Sequence, residues 1–434
     1  MANNQYIVAI EICSTKIVGA LAEKNSEGIV SVMHVEEEKI TNCVRHGSVQ
    51  NVENTKAAVA RIIKKLENVV NGEIKDVYLG VNGLSLHSMP TESERNLNES
   101  KPIDNEIINS MIKSALAEPV SGYKTIKVVP RTYFVDNNET EDPVGQFGQN
   151  INIKINRIVA KETLLLNLDR VTNNLVKVKK PIVTPLAVAD AVLDSNERSL
   201  GCMLVDMGAE TTTVSIYKNN ALLYLATIPL GGRNLTRDMT IGMKITEENA
   251  EIVKKSIADP LNPKAEAVTI NEVSSKTASN YIISRTGEII ANVNAQIEFA
   301  GLQPSDFKKI VLVGMASKLK GICKKFEEIC GIETRHGAAP ASLNILNHDF
   351  NRFEYIEVFS IVAKAAQSMP DGYSCVKARY VAPTGDQGGF EVKEVETEQP
   401  KTDDKPKAPE RKRMNIWKKL KSRVDDLMTE DEEA

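Results

Sequence analysis

Two distant segments of this chain follow one pattern, and this duplication constrains the fold more than any other sequence feature. YIVAIEICSTKIVGALAEK (6–24) and CMLVDMGAETTTVSIYKNN (202–220) each contain an apolar strand, an acid, a short polar turn and a second apolar strand. Glu11 aligns with Asp206, and Cys13 aligns with Gly208 at the same offset. So wide an offset indicates a duplicated domain rather than a short-period repeat. We therefore predict an α/β fold in two related halves with parallel-sheet architecture.

Each duplicated hairpin has the composition of a phosphate-binding turn. Small and hydroxyl residues in a tight turn present consecutive backbone N–H groups, and such a nest binds phosphate oxygens. The acid before each turn, Glu11 or Asp206, can hold Mg²⁺ through water, and Lys16 can add a positive charge. Two facing hairpins would clamp a triphosphate between the halves. The other predicted phosphate-binding residues of the two hairpins are Ser14, Thr15, Gly208, Thr211 and Thr212.

The hypothesis of a phosphate clamp depends on the presence of two matching hairpins. One hairpin alone is weak evidence, because glycine and threonine turns are common and Thr211 and Thr212 also suit an ordinary strand. Neither GxxxxGK[ST] nor GxGxxG occurs in the sequence. A Walker-type NTPase and a Rossmann dehydrogenase are therefore not supported.

Hydrophobic periodicity predicts the elements between and after the hairpins. A separate module is expected between residue 84 and about residue 160, where isoleucines at alternate positions indicate a half-buried strand. The predicted elements are a helix from about Asn54 to Gly72, a strand at 76–81, a helix near 104–117, a strand with Ile151, Ile153 and Ile155, a buried strand at 310–314 and a helix from about Ser317 to Gly331.

Composition limits the partners and the compartment. The 434 residues carry a formal net charge of −4, so no overall basic field attracts nucleic acid. No run of about 18 apolar residues occurs, so no segment is expected to span a bilayer. The six cysteines form no CxxC motif, and the N-terminal MANNQYIVAIEIC lacks the pattern of a signal peptide. We therefore expect reduced thiols and a cytoplasmic location.

The composition changes near Pro383. Segments such as EVKEVETEQP and KTDDKPKAPE contain few large apolar residues and cannot form a core. Residues 383–413 are therefore predicted to form a disordered linker.

IWKKLKSRVDDLM (416–428) predicts an amphipathic helix after the linker, at 414–428. Trp417, the only tryptophan in the chain, lies on its apolar edge, and basic residues fill the other positions. Such a helix is too short to cross a bilayer but suits the surface of an anionic membrane. A helix that docks on the body or on a partner protein is the alternative. The predicted membrane-binding residues are Ile416, Trp417, Lys418, Lys419, Leu420, Lys421, Arg423, Val424 and Leu427.

The order of these motifs resembles the FtsA family of bacterial cell-division proteins, within the actin/Hsp70/sugar-kinase superfamily. The most specific segment is VVPRTYFVDNNETEDPVGQFGQNINIKINRIVA (128–160), which is similar to the signature of the inserted 1C subdomain of that family. PIVTPLAVADAVL (181–193) is similar to the connecting helix, and IPLGGRNLTRDM (228–239) to the segment after the second hairpin. The resemblance covers residues 5 to about 370 and the C-terminal helix.

The resemblance implies an actin-like (ribonuclease H-like) duplicated α/β fold with an FtsA-type 1C insertion, a disordered linker and a C-terminal amphipathic helix. The domain boundaries that it implies are 1–83 for the first part of subdomain 1A, 84–165 for the SHS2-like subdomain 1C, 166–199 for the rest of 1A with its connecting helix, 200–232 for the first part of 2A, 233–302 for 2B, 303–350 for the rest of 2A and 351–382 for the final helix region of 1A.

The resemblance also implies further nucleotide contacts. Within AEIVKKSIA (250–258), an acid and a lysine match family residues that reach the nucleotide sugar. The strand, glycine and helix that begin at residue 310 match the adenosine motif. The nucleotide-binding residues that the resemblance adds are Gly232, Glu251, Lys254, Gly314, Met315 and Ser317.

Several positions depart from the family pattern. Glu11 stands where an aspartate is usual, Glu210 where a glycine is usual, and Thr184 where some relatives have a glutamate. The resemblance therefore implies bound ATP and Mg²⁺ with at most slow hydrolysis.

The function that the resemblance implies is that of an ATP-binding, polymerising adaptor. Such a protein tethers the FtsZ ring to the cytoplasmic face of the inner membrane at the division septum. Its expected partners are the C-terminal tail of FtsZ, contacted by the 2B region, further copies of itself in a filament, anionic lipid and later division proteins. The alternatives are an actin-fold small-molecule kinase or chaperone-type ATPase, and a pilus-assembly actin homologue.

Overall fold

The structure is a computed structural model that describes residues 5–347, 350 and 352–378. The strands of this part of the chain are, in order, β1 Gln5–Ile12, β2 Lys16–Lys24, β3 Val30–Lys39, β4 Val44–Arg45, β5 Ser48–Val49, β6 Gly72–Ile74, β7 Asp76–Val81, β8 His87–Pro102, β9 Tyr123–Val135, β10 Asn138–Thr140, β11 Phe147–Lys161, β12 Lys177–Val183, β13 Cys202–Met207, β14 Thr212–Lys218, β15 Ala221–Ile228, β16 Thr269–Ile270, β17 Val273–Ser274, β18 Lys309–Val313, β19 Thr334–His336, β20 Leu343–Ile345 and β21 Val376–Ala378. The helices are α1 Val52–Val70, α2 Asn105–Ala117, α3 Glu162–Thr172, α4 Thr184–Val192, α5 Ser195–Leu200, α6 Gly232–Met243, α7 Glu247–Ser256, α8 Ser275–Phe299, α9 Ile322–Cys330 and α10 Ile356–Ser368.

Two sheets of related order form the body of the protein. The first has the order β12-β7-β1-β2-β3-β20 and the second the order β15-β14-β13-β18-β19. In each sheet a three-stranded antiparallel meander, β1-β2-β3 or β13-β14-β15, joins a parallel neighbour, β7 or β18, beside its first strand. The predicted duplication into two α/β halves is confirmed.

The prediction of parallel sheets was wrong for two of the five neighbouring strand pairs in the first sheet and for two of the four in the second. The turn between β1 and β2 and the turn between β13 and β14 are only a few residues long, and such short connections can join antiparallel strands only. Parallel pairing begins where longer segments that contain helices return the chain, as between β7 and β12. The sheets are therefore mixed.

A third sheet belongs to a separate module that lies between β7 and α3 in the chain. Its order is β10-β9-β11-β8, all neighbours are antiparallel, and α2 packs on one face. Ile151, Ile153 and Ile155 of β11 are almost fully buried beneath α2, whereas Lys154 between them is exposed. The predicted alternation in this strand is confirmed, because successive side chains in a strand point to opposite faces.

Two predicted helix boundaries need correction. α1 ends at Val70, and the left-handed residue that terminates it is Asn71 (φ 44°) rather than Gly72. α9 begins at Ile322 rather than near Ser317, because residues 315–318 form a separate 3-10 turn after a left-handed glycine. Its predicted end at Gly331 is confirmed by the left-handed conformation of that residue.

The predicted linker at 383–413 and the predicted amphipathic helix at 414–428 lie outside the described residues. Among the helices that the structure describes, none has the length and apolar character needed to cross a membrane.

Candidate nucleotide-binding cleft

The two duplicated hairpins have the same turn geometry. In the first, the backbone N–H of Cys13 donates to the carbonyl oxygen of Lys16 at 2.9 Å. In the second, the N–H of Gly208 donates to the carbonyl oxygen of Thr211 at 2.8 Å. The sequence alignment of the hairpins placed Cys13 and Gly208 at equivalent positions, and Lys16 and Thr211 are related by the same offset. Each turn also begins directly after a strand that carries the matched acid.

Both turns line one open cleft between the two halves. Eight predicted nucleotide-binding residues line this cleft: Glu11, Ser14, Thr15, Lys16, Asp206, Gly208, Thr211 and Met315.

The other predicted residues lie beside the cleft or point away from it. The hydroxyl of Thr212 donates to the carbonyl oxygen of Leu230 at 2.8 Å, on the opposite face of β14 from the neighbouring threonines. The buried hydroxyl of Ser317 donates to the carbonyl oxygen of Gly314 at 2.7 Å and stabilises the turn that carries Met315. Gly232 donates its N–H to the carbonyl oxygen of Gly208 and joins α6 to the second hairpin.

Gly314 is required for its backbone conformation. Its φ is +81°, and an added Cβ would lie 2.4 Å from Oδ1 of Asp206 and 2.6 Å from the carbonyl oxygen of Met207. Only glycine fits this conformation and this close approach. The residue thereby holds the 3-10 turn against the acid of the second hairpin.

Glu251 and Lys254 form a network with Thr236 next to the cleft. The Lys254 ammonium donates to Glu251 at 2.6 Å, to the Thr236 hydroxyl at 2.7 Å and to the carbonyl oxygen of Gly232 at 3.2 Å. Burial lowers the pKa of Lys254, and the charge of Glu251 opposes that effect only in part. The network fixes α7 against α6, and it lies outside the residues that line the cleft.

Three carboxyl groups line the cleft: those of Glu11 and Asp206 are buried, and that of Glu357 is half-buried. Burial, followed by the charge of Asp206, raises the pKa of Glu11 to about 8, and burial raises the pKa of Asp206 to about 6. Burial and the charges of these two acids also raise the pKa of Glu357, in the first turn of α10, well above its ordinary value. Acids that gain protons when they are buried together create a site in which positive charge would be stabilising.

Lys16 makes contacts that the sequence analysis did not anticipate. Its ammonium lies 2.7 Å from Glu37, 3.4 Å from Glu354 and 5.0 Å from the centre of the Tyr355 ring. Burial lowers its pKa, but the hydrogen bond and charge of Glu37 outweigh burial and raise the pKa overall. The lysine lines the cleft as a paired cation, and a phosphate group would have to compete with two carboxylates for it.

The donor set suits a hydrated Mg²⁺ ion. Glu11 and Asp206 reach the same cleft from the two halves, and Glu11 is buried with only the Thr184 hydroxyl to oppose the rise in its pKa. Within that same part of the chain, no three acidic, histidine or cysteine side chains are grouped closely enough to hold a metal ion directly. The two acids would therefore hold the ion through water, as the sequence analysis expected.

Several residues that line the cleft were missed by the sequence analysis. Glu354, Tyr355 and Glu357 come from the start of α10 and the residues before it, and Asn82 follows β7. No motif marks them, because their contribution depends on where the chain returns to the first sheet. Thr213 had a usable signal: it lies two positions after Thr211, and residues at i and i+2 of a strand share one face.

Comparisons with protein families give two matches. A family described as "Cell division protein FtsA" matches residues 203–356. A second, described as "SHS2 domain inserted in FTSA", matches residues 83–159, which contain most of the four-stranded module.

Curated relatives cover most of the chain. It is 28% identical over 391 residues to the "Cell division protein FtsA" of Porphyromonas gingivalis, and the match covers 85% of this chain and 80% of that protein. It is 26% identical over 348 residues to the "Cell division protein FtsA" of Bacillus subtilis, with coverage of 76% and 78%.

A solved structure of a "PilM-PilN type IV pilus biogenesis complex" is similar to this chain with a TM-score of 0.59. The match covers 83% of this chain and 98% of that one, at 13% sequence identity. So low an identity shows a shared fold alone.

Proposed function

Because the chain belongs to the FtsA family of cell division proteins, we propose that it is an ATP-binding adaptor that tethers the division machinery to the membrane. Its fold is the actin-like duplicated α/β fold with the inserted SHS2 domain. The boundaries proposed for subdomains 1A, 1C, 2A and 2B are those drawn from the sequence.

The observation that carries the ATP-binding proposal is the symmetry of the cleft. Two hairpins with the same turn hydrogen bond face one cavity, and each brings one buried acid to it, Glu11 or Asp206. Backbone N–H groups of the turns would bind the phosphates, and the acids would hold Mg²⁺ through water. When bound, Mg²⁺ would neutralise phosphate charge beside the acids. Met315, which is partly exposed at the cleft, offers an apolar surface to a base.

The protein is proposed to be at most a slow ATPase. The residue at position 184 is a threonine whose buried hydroxyl lies beside Glu11 and opposes the rise in the pKa of that acid. A hydroxyl is a far weaker general base than the carboxylate that some relatives have there.

The adaptor role joins this body to the C-terminal segment. We propose that residues 414–428 bind anionic lipid at the cytoplasmic face of the inner membrane, and that residues 383–413 connect them to the body as a flexible linker. Residues 233–302 are proposed to contact the C-terminal tail of FtsZ. Filaments of the protein at the septum would present many membrane helices together, so that weak single contacts add up to stable attachment. The same filaments would recruit later division proteins.

Titration calorimetry of the full chain with Mg-ATP tests the ATP-binding proposal. We expect binding by the parent protein and at least about a tenfold loss of affinity in Asp206→Ala, because the substitution removes one of the two acids that would hold the hydrated ion. Asp238→Ala is the matched control, since Asp238 forms an ion pair with Arg285 and does not line the cleft. Absence of heat at millimolar Mg-ATP with the parent protein would refute the proposal.

A further inference from the structure

Glu210, in the turn of the second hairpin, connects the two halves of the protein. Its side chain is almost fully buried, at 2% exposure. Its Oε1 accepts hydrogen bonds from Arg233 at 3.0 Å and from Arg237 at 3.2 Å, both within the second half. Its Oε2 accepts from the backbone N–H of His46, in the first half, at 2.8 Å. One carboxylate group therefore bonds to residues on both sides of the cleft.

His46 returns a second bond to the same residue. Its Nδ1 lies 3.0 Å from the carbonyl oxygen of Glu210, so the ring donates from Nδ1. A hydrogen bond to an ionised acceptor contributes more than one between neutral groups. The two arginines balance the carboxylate charge, and one of them, Arg233, is held in turn by Glu247 at 2.6 Å. The hydrogen bond that the His46 N–H donates across the cleft thus has a charged and largely buried acceptor, the Glu210 carboxylate.

The turn that Glu210 holds also touches the first phosphate hairpin. His46 and Gly47 form the two-residue turn between β4 and β5, and both have positive φ, 49° and 72°. The N–H of Gly47 donates to the hydroxyl of Ser14 at 3.1 Å. Positive φ at both central residues is what a two-residue type I′ hairpin turn requires, so the turn presents its backbone groups in a defined direction.

The same turn contacts the start of the inserted module. The carbonyl oxygen of His46 accepts from the N–H of Leu84 at 2.9 Å. A Cβ on Gly47 would lie 2.6 Å from the Cα of Gly83, so the two backbones are in direct contact. The His46–Gly47 turn therefore lies where both phosphate hairpins and the root of the module meet.

We propose that Glu210 is a positioning residue that latches the cleft closed through the His46–Gly47 turn. Opening of the cleft must break the bonds between Glu210 and His46, and this frees the turn that Ser14 and Leu84 also contact. Opening of the cleft thereby alters the contact between this turn and the inserted module. The inference rests on the proposed function only where it takes a nucleotide as the ligand that the closed cleft retains. The bonds that form the latch are present in the protein without nucleotide.

Hydrogen exchange of the nucleotide-free full chain tests the latch directly. Glu210→Ala removes the carboxylate bonds to the arginines and to the His46 N–H and leaves only the bond from His46 Nδ1 to the backbone carbonyl, whereas Glu210→Asp keeps the charge beside the arginines but is too short to reach the His46 N–H as well. We expect the amides of residues 46 and 84 to exchange about tenfold faster or more in both variants. The matched control is Glu247→Ala, which removes the other partner of Arg233 and no cross-cleft bond; its exchange should equal that of the parent.

The aspartate variant separates positioning from simple charge balance. If Glu210 only neutralises the arginines, Glu210→Asp will exchange like the parent, and the latch is refuted. Equal exchange in Glu247→Ala and Glu210→Ala refutes it as well.

The release rate of a fluorescent ATP analogue, measured by stopped flow, tests whether the latch retains a nucleotide. We expect both Glu210 variants to release the analogue several-fold faster than the parent and the Glu247→Ala control, with little change in association, because the latch acts on the closed state. Release at the parent rate in both variants would overturn the retaining role of the latch. If the parent binds no nucleotide, the proposed function fails, but the exchange experiment still decides the latch.

Discussion

At the residue scale, Glu11 is the most informative side chain. It is 2% exposed, and it lies close to Thr184 and to the two other acids of the cleft. Burial is the main cause of its raised pKa, and Asp206 adds to it. A folded state that holds a buried acid is destabilised whenever that acid ionises without a counter-charge. The stability lost here is a consequence of placing three acids together at the cleft.

The stability of the nucleotide-free protein should therefore depend on pH in a defined direction. The pKa of Glu11 is about 8 in the folded state, against an ordinary value of 4.5. Between these values the folded state keeps a proton that the unfolded chain has lost, so stability falls as the pH rises from about 5 to 8. Asp206 and Glu357 act in the same direction.

Thermal melts of the parent and of Glu11→Gln across this pH range test the prediction. The variant cannot ionise, so its melting temperature should fall less steeply, and its advantage over the parent should be largest near pH 8. Glu38→Gln is a suitable control, since the pKa of Glu38 is lowered by Lys65 at the surface. Parallel curves for the parent and Glu11→Gln would contradict the assignment.

At the element scale, the end of α1 shows two adjacent residues with different tasks. Asn71 adopts the left-handed conformation that ends the helix, and its N–H donates to the carbonyl oxygen of Glu67. Gly72 instead begins β6, where a Cβ would lie 2.5 Å from a side-chain carbon of Val376 and 3.0 Å from the carbonyl oxygen of Lys377. The glycine permits β21 to approach closely. The sequence pattern alone predicts that the helix ends at Gly72, although Asn71 is the residue that ends it.

Substitutions at these two positions should therefore behave differently. Asn71→Gly should be neutral or slightly stabilising, while Asn71→Ala should lower the free energy of unfolding by about 1 kcal/mol, because alanine pays the cost of the left-handed conformation. Gly72→Ala should also destabilise, but through the contact between β6 and β21. Urea unfolding measures the first effect, and faster hydrogen exchange at residues 376–378 identifies the second. If Asn71→Gly destabilised the protein as much as Asn71→Ala did, the side chain of Asn71 would have a role beyond its backbone conformation.

At the scale of the whole molecule, the folded body and the C-terminal segment have separate proposed tasks. The body provides the cleft and the inserted module, and its described helices offer no membrane span. The last segment concentrates basic residues and the only tryptophan of the chain. Membrane attachment is therefore proposed to depend on residues 414–428, which lie outside the described residues.

Vesicle sedimentation tests this division. Trp417→Glu places a charge among the apolar residues of the proposed helix and should abolish binding to vesicles of any lipid composition. Replacement of Lys418, Lys419 and Lys421 together by Glu should harm binding to anionic vesicles far more than to neutral ones, and added salt should weaken the parent in the same way. Leu166→Glu, at an exposed apolar position of α3, is the control and should bind like the parent.

If residues 414–428 dock on a protein rather than on a membrane, the opposite result is expected. A peptide of residues 411–434 that gains no helix on anionic vesicles, as measured by circular dichroism, would refute membrane binding and favour a protein partner.

Features that depend on local period and turn chemistry could be read from the sequence. The duplicated hairpins, the matched acids Glu11 and Asp206 and the alternating isoleucines of β11 all follow from neighbours within a few residues. Strand alternation and tight turns are local geometry, so their signals survive without knowledge of the fold. The same locality explains why the amphipathic pattern at 414–428 can be recognised at all.

Only the tertiary structure decided which distant groups meet at the cleft. Glu357 reaches it from a helix near the end of the described chain, and Lys16 is paired by carboxylates from two other segments. The bond between Glu210 and the backbone of His46 joins residues of different halves, and a backbone donor carries no side-chain signal. Such contacts depend on how the two sheets are packed and on which direction each turn faces. Residue type and spacing do not encode that arrangement locally, because it emerges only when the whole chain buries its core.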